Sequence, residues 1–211
     1  MENAIQPLFF IAVLIFSVVI HEVSHGYAAL ALGDRTAQGA GRLTLNPLPH
    51  MDLFGSVLLP IFLVIMQSPI LIGWAKPVPF NPYNLRNQKW GPAVVGAAGP
   101  LANVSLAIVF GLTLRLLPSL TGLVPGAFLL NFMTIASTVA FLNLALAFFN
   151  LLPIPPLDGS KVLFALLPYR YMYVQTFLER YGFLVLLLFI FMFGGALQPL
   201  ANAVFNMLTG F

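Results

Sequence analysis

The sequence predicts an all-α, polytopic membrane protein formed by a single domain over residues 1–211. Of the 211 residues, 60% are hydrophobic and only 7% are charged, whereas soluble globular proteins carry about 25% charged residues. The net charge of +3 is too small and too dispersed to form a nucleic-acid interface. Because the chain contains no cysteine, a disulfide framework and a thiolate metal site are both excluded.

Four apolar segments have the length of about 20 residues that a bilayer-spanning helix requires. They are predicted at 7–32, 92–117, 127–150 and 181–208. A fifth apolar stretch, 53–73, is interrupted by Pro60 and Pro69, so it either crosses the membrane once or enters and returns on the same side.

The distribution of Lys and Arg favours the re-entrant alternative for 53–73. Basic residues near helix ends collect on the cytoplasmic side of a membrane. If the stretch re-enters, every Lys and Arg outside Arg115 falls on one side, whereas a crossing divides them. Backbone that is not helical at membrane depth needs protein or a water-filled cavity around it. We therefore predict about four spans, one re-entrant segment and a cavity that opens towards the cytoplasm.

Two polar stretches flank the re-entrant segment. The first, GRLTLNP at 41–47, alternates polar and apolar residues as a short strand does. The second, GWAKPVPFNPYN at 73–84, contains prolines that exclude a helix. Both are compatible with short β or extended elements that line an entrance, and both are equally compatible with ordinary interfacial loops.

The motif HEVSH lies at 21–25, directly after an uncharged apolar run. Ionisable side chains inside a membrane are costly and indicate function. On a helix, His21 and His25 share a face and can bind one metal ion, while Glu22 lies close enough to act as a base. A catalytic zinc site normally has three protein ligands and one position for water. One ligand is therefore missing from the motif.

Asp158 is the leading candidate for the third ligand. It lies in NLLPIPPLDG at 150–159, where three prolines interrupt the helical pattern between two apolar runs. Zn²⁺ with the Glu22 and Asp158 carboxylates has a formal charge of zero, which suits a buried site. The alternative role for Asp158 is a helix N-cap. His50 and Asp52 are the other candidate ligands, and Asp34, after Gly33, is interpreted as a solvated turn residue.

Together these stretches resemble the site-2 protease family of intramembrane zinc metalloproteases. The resemblance rests on HEVSH, on AAGPLANV at 97–104 and on NLLPIPPLDG, and it covers nearly the whole chain. The stretches GRLTLNPLPHMDLFG and GWAKPVPFNP are similar to the compact branch of the family that lacks a PDZ domain.

The resemblance implies a role for several residues. It makes His21, His25 and Asp158 the ligands of one Zn²⁺ per chain and Glu22 the catalytic base. Asn150 becomes a candidate for substrate or oxyanion contact, and Asn103 a polar residue packed near the site. It also implies a multi-pass protein of the cell membrane whose active site faces the cytoplasmic side and cleaves transmembrane segments of membrane proteins.

A helical substrate must unwind before its peptide carbonyls can react, because a helix uses them in its own hydrogen bonds. The released backbone groups need new partners, and an extended edge could supply them by strand addition. We expect this edge at Leu43, Thr44, Leu45 and Asn46.

Two other functions are compatible with parts of the sequence. A metal-ion transporter could use the same His/Asp cluster, although transporters often show internal repeats and distribute polar residues along a pathway. A membrane scaffold could bind partner helices through the small residues of GAAGPLA at 96–102. A complete set of metal ligands with an adjacent carboxylate favours hydrolysis over both.

Overall fold

The computed structural model describes residues 2–66, 74–120 and 125–210. Its α-helices are α1 (Glu2–Ala31), α2 (Thr36–Gly39), α3 (Leu59–Ile65), α4 (Gly91–Leu116), α5 (Gly126–Asn150), α6 (Gly159–Leu166), α7 (Met172–Phe193) and α8 (Leu197–Thr209). A π-helix spans Leu53–Leu58, and 3₁₀ turns span Leu48–His50, Pro82–Asn84, Leu117–Leu120, Tyr169–Tyr171 and Gly194–Ala196. These ranges hold no β-sheet, only an isolated antiparallel bridge between Met51 and Ala75.

The predicted all-α architecture with four long apolar helical segments is confirmed. The segments long and apolar enough to cross a membrane are Phe9–Ala31, Gly91–Ser119, Gly126–Asn150 and Tyr169–Thr209. The last begins earlier than the sequence suggested and is divided at Gly194–Ala196. Two adjacent glycines weaken the helix there, and Pro199 lies in the first turn of α8, where a missing N–H leaves no hydrogen bond unmade.

Helix α4 lies at the centre of the bundle and packs against α1, α5, α6 and α8. Glycines allow these close approaches, as small residues commonly do between membrane helices. A Cβ at Gly96 would lie 2.9 Å from Lys161 Cδ on α6, and one at Gly111 would lie 3.0 Å from Leu208 Cβ on α8. Helix α4 therefore meets α6 near its N-terminus and α8 near its C-terminus at short range.

The segment after Met51 leaves the bundle and returns to the same place. Asp52 Oδ1 accepts the N–H groups of Phe54 and Gly55 and so begins the π-helix that continues into α3. On the return, Trp74 N–H donates to Gly55 O at 3.2 Å, beside the Met51–Ala75 bridge. The two described ends lie side by side. Residues 67–73 lie outside the described residues, so the re-entrant path stays a prediction.

Of the two alternatives left open for 41–47, the short strand is absent. Gly41 has a left-handed φ of +65°, Thr44 Oγ1 accepts the N–H of Asn46, and Asn46 Oδ1 accepts the N–H of Leu48. These side-chain hydrogen bonds offer the backbone an alternative to a sheet ladder, so the stretch forms consecutive turns. Residues 41–47 therefore form a loop, which is the other alternative.

Residues 76–85, which we call the strap, cross the end of the bundle between the re-entrant segment and α4. Arg42 Nη2 donates to Lys76 O at 2.6 Å and to Pro77 O at 3.2 Å. Lys76 N–H donates to His50 O at 2.8 Å. Arg42 is buried, so its charge is part of this attachment in addition to any role in topology.

Candidate active site

The HEVSH motif occupies the C-terminal half of α1 and turns its histidines towards α4. His21 and His25 are each 6% exposed. Opposite them, a Cβ at Gly99 would lie 2.5 Å from His25 Nε2 and 2.7 Å from His21 Cε1. The two imidazoles therefore fit only because α4 presents a residue without a side chain at this position.

The second nitrogen of each imidazole is held by a buried acceptor on α4. His25 Nδ1–H donates to Val95 O at 2.6 Å, and a backbone carbonyl can only accept. His21 Nδ1 lies 3.1 Å from Asn103 Oδ1, and Asn103 is fully buried. With the amide oxygen assigned to this contact, both neutral imidazoles carry a lone pair on Nε2, which faces the interior of the site.

Asp158 comes from the loop between α5 and α6, directly before the first residue of α6. It occupies the N-cap position, but its side chain makes no capping hydrogen bond. Its Oδ2 instead lies 3.0 Å from His21 Nε2 and 3.1 Å from His25 Nε2. The structure therefore brings all three predicted ligands together from two distant parts of the chain.

These three atoms have a geometry that fits a bound cation. His21 Nε2 and His25 Nε2 lie 3.1 Å apart, and neither carries a proton to donate to the other. Three acceptors that face one another repel unless a cation lies among them. A tetrahedral zinc ion with bonds of about 2.0–2.1 Å holds its ligand atoms roughly 3.3–3.4 Å apart. Movements of a few tenths of an ångström would convert the observed triangle into a zinc site.

Glu22 lies on the same turn of α1 and borders the site from the strap side. Ligand atoms of His21, Glu22 and His25 all fall within 4.8 Å of one another. The Glu22 Oε2 accepts the backbone N–H of Val78 in the strap at 2.8 Å. A backbone donor thus fixes the orientation of the carboxylate beside the histidines.

A cavity of about 150 Å³ opens onto these groups; its lining residues are His21, Glu22, His25, Pro77, Val78, Phe80, Asn150, Pro156, Asp158 and Lys161. Asn150 lies at the end of α5 and donates one amide hydrogen to Leu146 O at 2.9 Å. A larger groove of about 410 Å³ runs between α5 and the α7–α8 junction. Among its described lining residues Gln198 is the single polar one, so we assign the chemistry to the smaller cavity.

Other candidate residues lie elsewhere. His50 is buried, and its Nε2–H donates to Thr44 O at 2.9 Å, while the Asp52 carboxylate begins the π-helix. Neither therefore belongs to the triangle of His21, His25 and Asp158.

The interpretation of Asp34 as a solvated residue is wrong, because Asp34 is fully buried and accepts the backbone N–H of Asn81 and the side-chain amide of Asn84.

Three residues around the site were not singled out from the sequence. Val95 supplies a backbone carbonyl, which any residue type could provide, so no sequence signal exists for it. Gly99 lies within the AAGPLANV stretch, but its contact depends on which face of α4 meets α1. Lys161 donates from Nζ to Asp158 Oδ1 at 2.8 Å. Its position three residues after Asp158 was a usable signal, since such residues are neighbours on a helix.

Comparison with known proteins identifies the family to which the chain is similar. The sequence profile of peptidase family M50 matches residues 124–193. A Bacillus subtilis protein described as "Putative zinc metalloprotease YwhC" is 36% identical over 92% of this chain and 86% of its own length. Rip2 of Mycolicibacterium smegmatis, described in the same words, is 30% identical over 76% of this chain and 61% of its own length.

A more distant relative comes from an archaeon. The "Zinc metalloprotease MJ0392" of Methanocaldococcus jannaschii is 27% identical over 83% of this chain, a match that spans 39% of that protein. No solved structure matches the chain.

Proposed function

The chain belongs to peptidase family M50, the site-2 type of zinc metalloprotease, and from this membership we propose that His21, His25 and Asp158 bind its catalytic zinc. The observation that carries the proposal is the convergence of His21 Nε2, His25 Nε2 and Asp158 Oδ2 within 3.1 Å of one another. Zinc bound there would supply Lewis acidity to activate water and the scissile carbonyl.

Glu22 acts as the general base and acid of the reaction. It accepts a proton from the water that attacks the peptide carbonyl carbon and passes it to the amine that leaves when the C–N bond breaks. The Val78 N–H, at 2.8 Å from Oε2, keeps the carboxylate directed along the cavity wall. Because Val78 belongs to the strap, the placement of the base depends on that segment.

Asn150, which lines the same cavity, contacts the substrate. Its amide has two hydrogens, of which one is donated to Leu146 O. The second is available to a substrate carbonyl or to the developing oxyanion, where an uncharged donor stabilises negative charge.

The substrates are transmembrane segments of membrane proteins, cleaved within or near the bilayer after local unwinding. Strand addition along Leu43–Asn46 remains our proposal for how the unwound segment is held. In the described structure, Thr44 O and Asn46 N are already hydrogen-bonded within the loop. Substrate pairing at these positions therefore requires the loop to exchange its own hydrogen bonds for those of the substrate.

The protein lies in the cell membrane with the active site towards the cytoplasm. The basic residues are distributed one-sidedly around the site end of the bundle, and such residues collect on the cytoplasmic side of a membrane. The comparisons favour hydrolysis over metal transport, since the relatives described above carry the names of zinc metalloproteases.

The test compares the purified wild type with Glu22→Gln and Asp158→Ala in detergent, against a panel of single-span membrane peptides. The amide oxygen introduced by Glu22→Gln can still accept the Val78 N–H, so the strap contact survives the substitution. We expect about one zinc per chain in the wild type and in Glu22→Gln, as for a single three-ligand site, and cleavage by the wild type alone. Asp158→Ala should lose the metal.

Two outcomes would contradict the proposal. Full cleavage by Glu22→Gln would exclude Glu22 as the base. Zinc binding without cleavage of any peptide by the wild type would favour transport, which metal flux into liposomes would then measure.

Leu45→Pro, with Leu45→Ala as its control, tests the pairing edge in the same assay. The proline removes a backbone N–H and should slow cleavage without loss of zinc.

A further inference from the structure

Lys161 is the one lysine or arginine among the described residues that line the catalytic cavity. It lies in the first turn of α6, and its Nζ donates to Asp158 Oδ1 at 2.8 Å. The lysine side chain is 31% exposed, whereas the aspartate side chain is 9% exposed. The pair thus differs from a surface ion pair, because one partner is almost completely removed from water and depends on the other for neutralisation.

The two oxygens of Asp158 have separate partners. Oδ2 faces the histidine pair, at 3.0 Å from His21 Nε2 and 3.1 Å from His25 Nε2, while Oδ1 accepts from Lys161. An ammonium group on the second oxygen competes with a metal for that oxygen and so favours binding of the metal through one oxygen. This division maintains three protein ligand atoms and so leaves a fourth position for water, as catalytic zinc sites require.

Lys161 is itself held by two other elements. Its stem lies against α4 at Gly96, where a Cβ would come within 2.9 Å of Lys161 Cδ. Its Nζ lies 5.5 Å from the centre of the Phe80 ring in the strap, within the range of a cation–π interaction. Contacts from α4 and the strap therefore restrict the ammonium group to one side of Asp158.

We propose that Lys161 is a positioning residue that holds Asp158 as a single-oxygen zinc ligand and thereby preserves the open coordination position. The inference rests on the proposed function, because it takes Asp158 as a ligand. Charge-assisted hydrogen bonds of this kind are about twice as strong as neutral ones. Loss of a partner that orients a metal ligand typically weakens metal affinity or activity by about 10–100-fold.

The experiment uses the full chain in detergent with Lys161→Met, which keeps the length of the side chain without its charge, and Lys161→Arg, which keeps the charge. Lys89→Met is the matched control, since it removes an exposed lysine whose Nζ lies over Trp90. Zinc affinity is measured by competition with a chelator. The absorption spectrum of the Co²⁺-substituted protein reports the coordination number and geometry of the site.

We expect zinc affinity to fall by about 10–100-fold in Lys161→Met, to recover in Lys161→Arg and to be unchanged in Lys89→Met. The Co²⁺ spectrum of Lys161→Met should change towards higher coordination as Asp158 becomes bidentate. A Lys161→Met protein with wild-type affinity and spectrum would overturn the inference, even if its cleavage rate fell, since Lys161 would then act on the substrate directly.

Asp158→Ala separates this failure from a failure of the proposed function. If Asp158→Ala retains full zinc affinity, Asp158 is not a ligand and the proposed site itself is wrong. If Asp158→Ala loses zinc while Lys161→Met does not, the site stands and the positioning role of Lys161 is refuted.

Discussion

Asn103 is fully buried in α4, and its side-chain oxygen accepts the Nδ1–H of His21 at 3.1 Å. This contact fixes both the ring orientation and the tautomer that leaves Nε2 free for a metal. We predict that Asn103→Ala raises the zinc dissociation constant by about 10–100-fold, the typical cost of losing such a partner. Chelator competition on the purified variant measures the change.

Asn143 offers the control for that substitution. It is equally buried, lies on α5 and donates to Ser17 Oγ at 2.9 Å, on the same helix as the histidines. Asn143→Ala therefore removes a buried amide that joins two helices without touching a ligand. An equal loss of zinc affinity in both variants would show that Asn103 acts through general packing and not through His21.

Single residues were predictable where their chemistry is rare in an apolar chain. His21, Glu22 and His25 stand out by their spacing, and Asp158 by its place in a proline-rich break. Lys161 did not stand out, because a lysine near a helix end is equally well explained by membrane topology. Its ion pair gives zinc, Glu22, Asp158 and Lys161 together a formal charge of +1, whereas the sequence alone suggested zero.

The strap is attached to α1 through Asp34. Gly33 ends the helix with a φ of +106°, and the buried Asp34 carboxylate then accepts the Asn81 N–H at 2.6 Å and the Asn84 amide at 3.0 Å. Asn81 lies three residues beyond Val78, whose N–H holds Glu22. The hydrogen bonds to Asp34 therefore stabilise the segment that orients Glu22.

Burial alone would raise the pKa of the Asp34 carboxyl, but hydrogen bonds from Thr36, Asn84 and the Asn81 backbone outweigh it and lower the pKa below the usual 3.8. The ionised form is thus favoured by folding. Its stabilisation is complete above the unfolded-state pKa of about 3.9 and is lost as the pH falls towards the lower folded-state value.

We predict that Asp34→Asn destabilises the protein by about 1–3 kcal/mol near neutral pH, because at least one buried donor loses its acceptor. The difference in unfolding free energy between wild type and variant should shrink as the pH falls below about 4. Unfolding in detergent at several pH values measures both effects. A difference that stays constant down to about pH 3 would contradict the role given to the ionised carboxylate.

Helices were more predictable than their interruptions. Long apolar runs identified α1, α4 and α5 closely, since membrane-spanning length and composition leave few alternatives. The break between α7 and α8 was not predicted, although Gly194 and Gly195 mark it, because glycine is common in membrane helices that remain continuous. Residues 41–47 look like a strand by alternation, but their turns depend on Thr44 and Asn46 side chains that compete locally for the backbone.

At the scale of the whole molecule, the groups that we propose as catalytic all lie at one end of the bundle. They involve the C-terminal half of α1, the N-terminal half of α4 and the loop after α5, with the strap across them. Helix α4 has 26 residues, which is about 39 Å at 1.5 Å per residue and exceeds the hydrocarbon core of about 30 Å. Helix α4 is therefore long enough to cross the bilayer, with the strap next to its first residue and Leu117–Leu120 next to its last.

This arrangement predicts the accessibility of single cysteines, and the chain contains no native cysteine to interfere. Tyr83 and Lys89 are exposed at the site end, whereas Ser119 and Gly126 are exposed at the other end. A membrane-impermeant maleimide added to intact cells should label Ser119→Cys and Gly126→Cys. It should label Tyr83→Cys and Lys89→Cys only after permeabilisation, because we propose from the distribution of basic residues that the site end lies in the cytoplasm. The reverse pattern would place the active site outside the cell and would contradict the charge argument while leaving the zinc site intact.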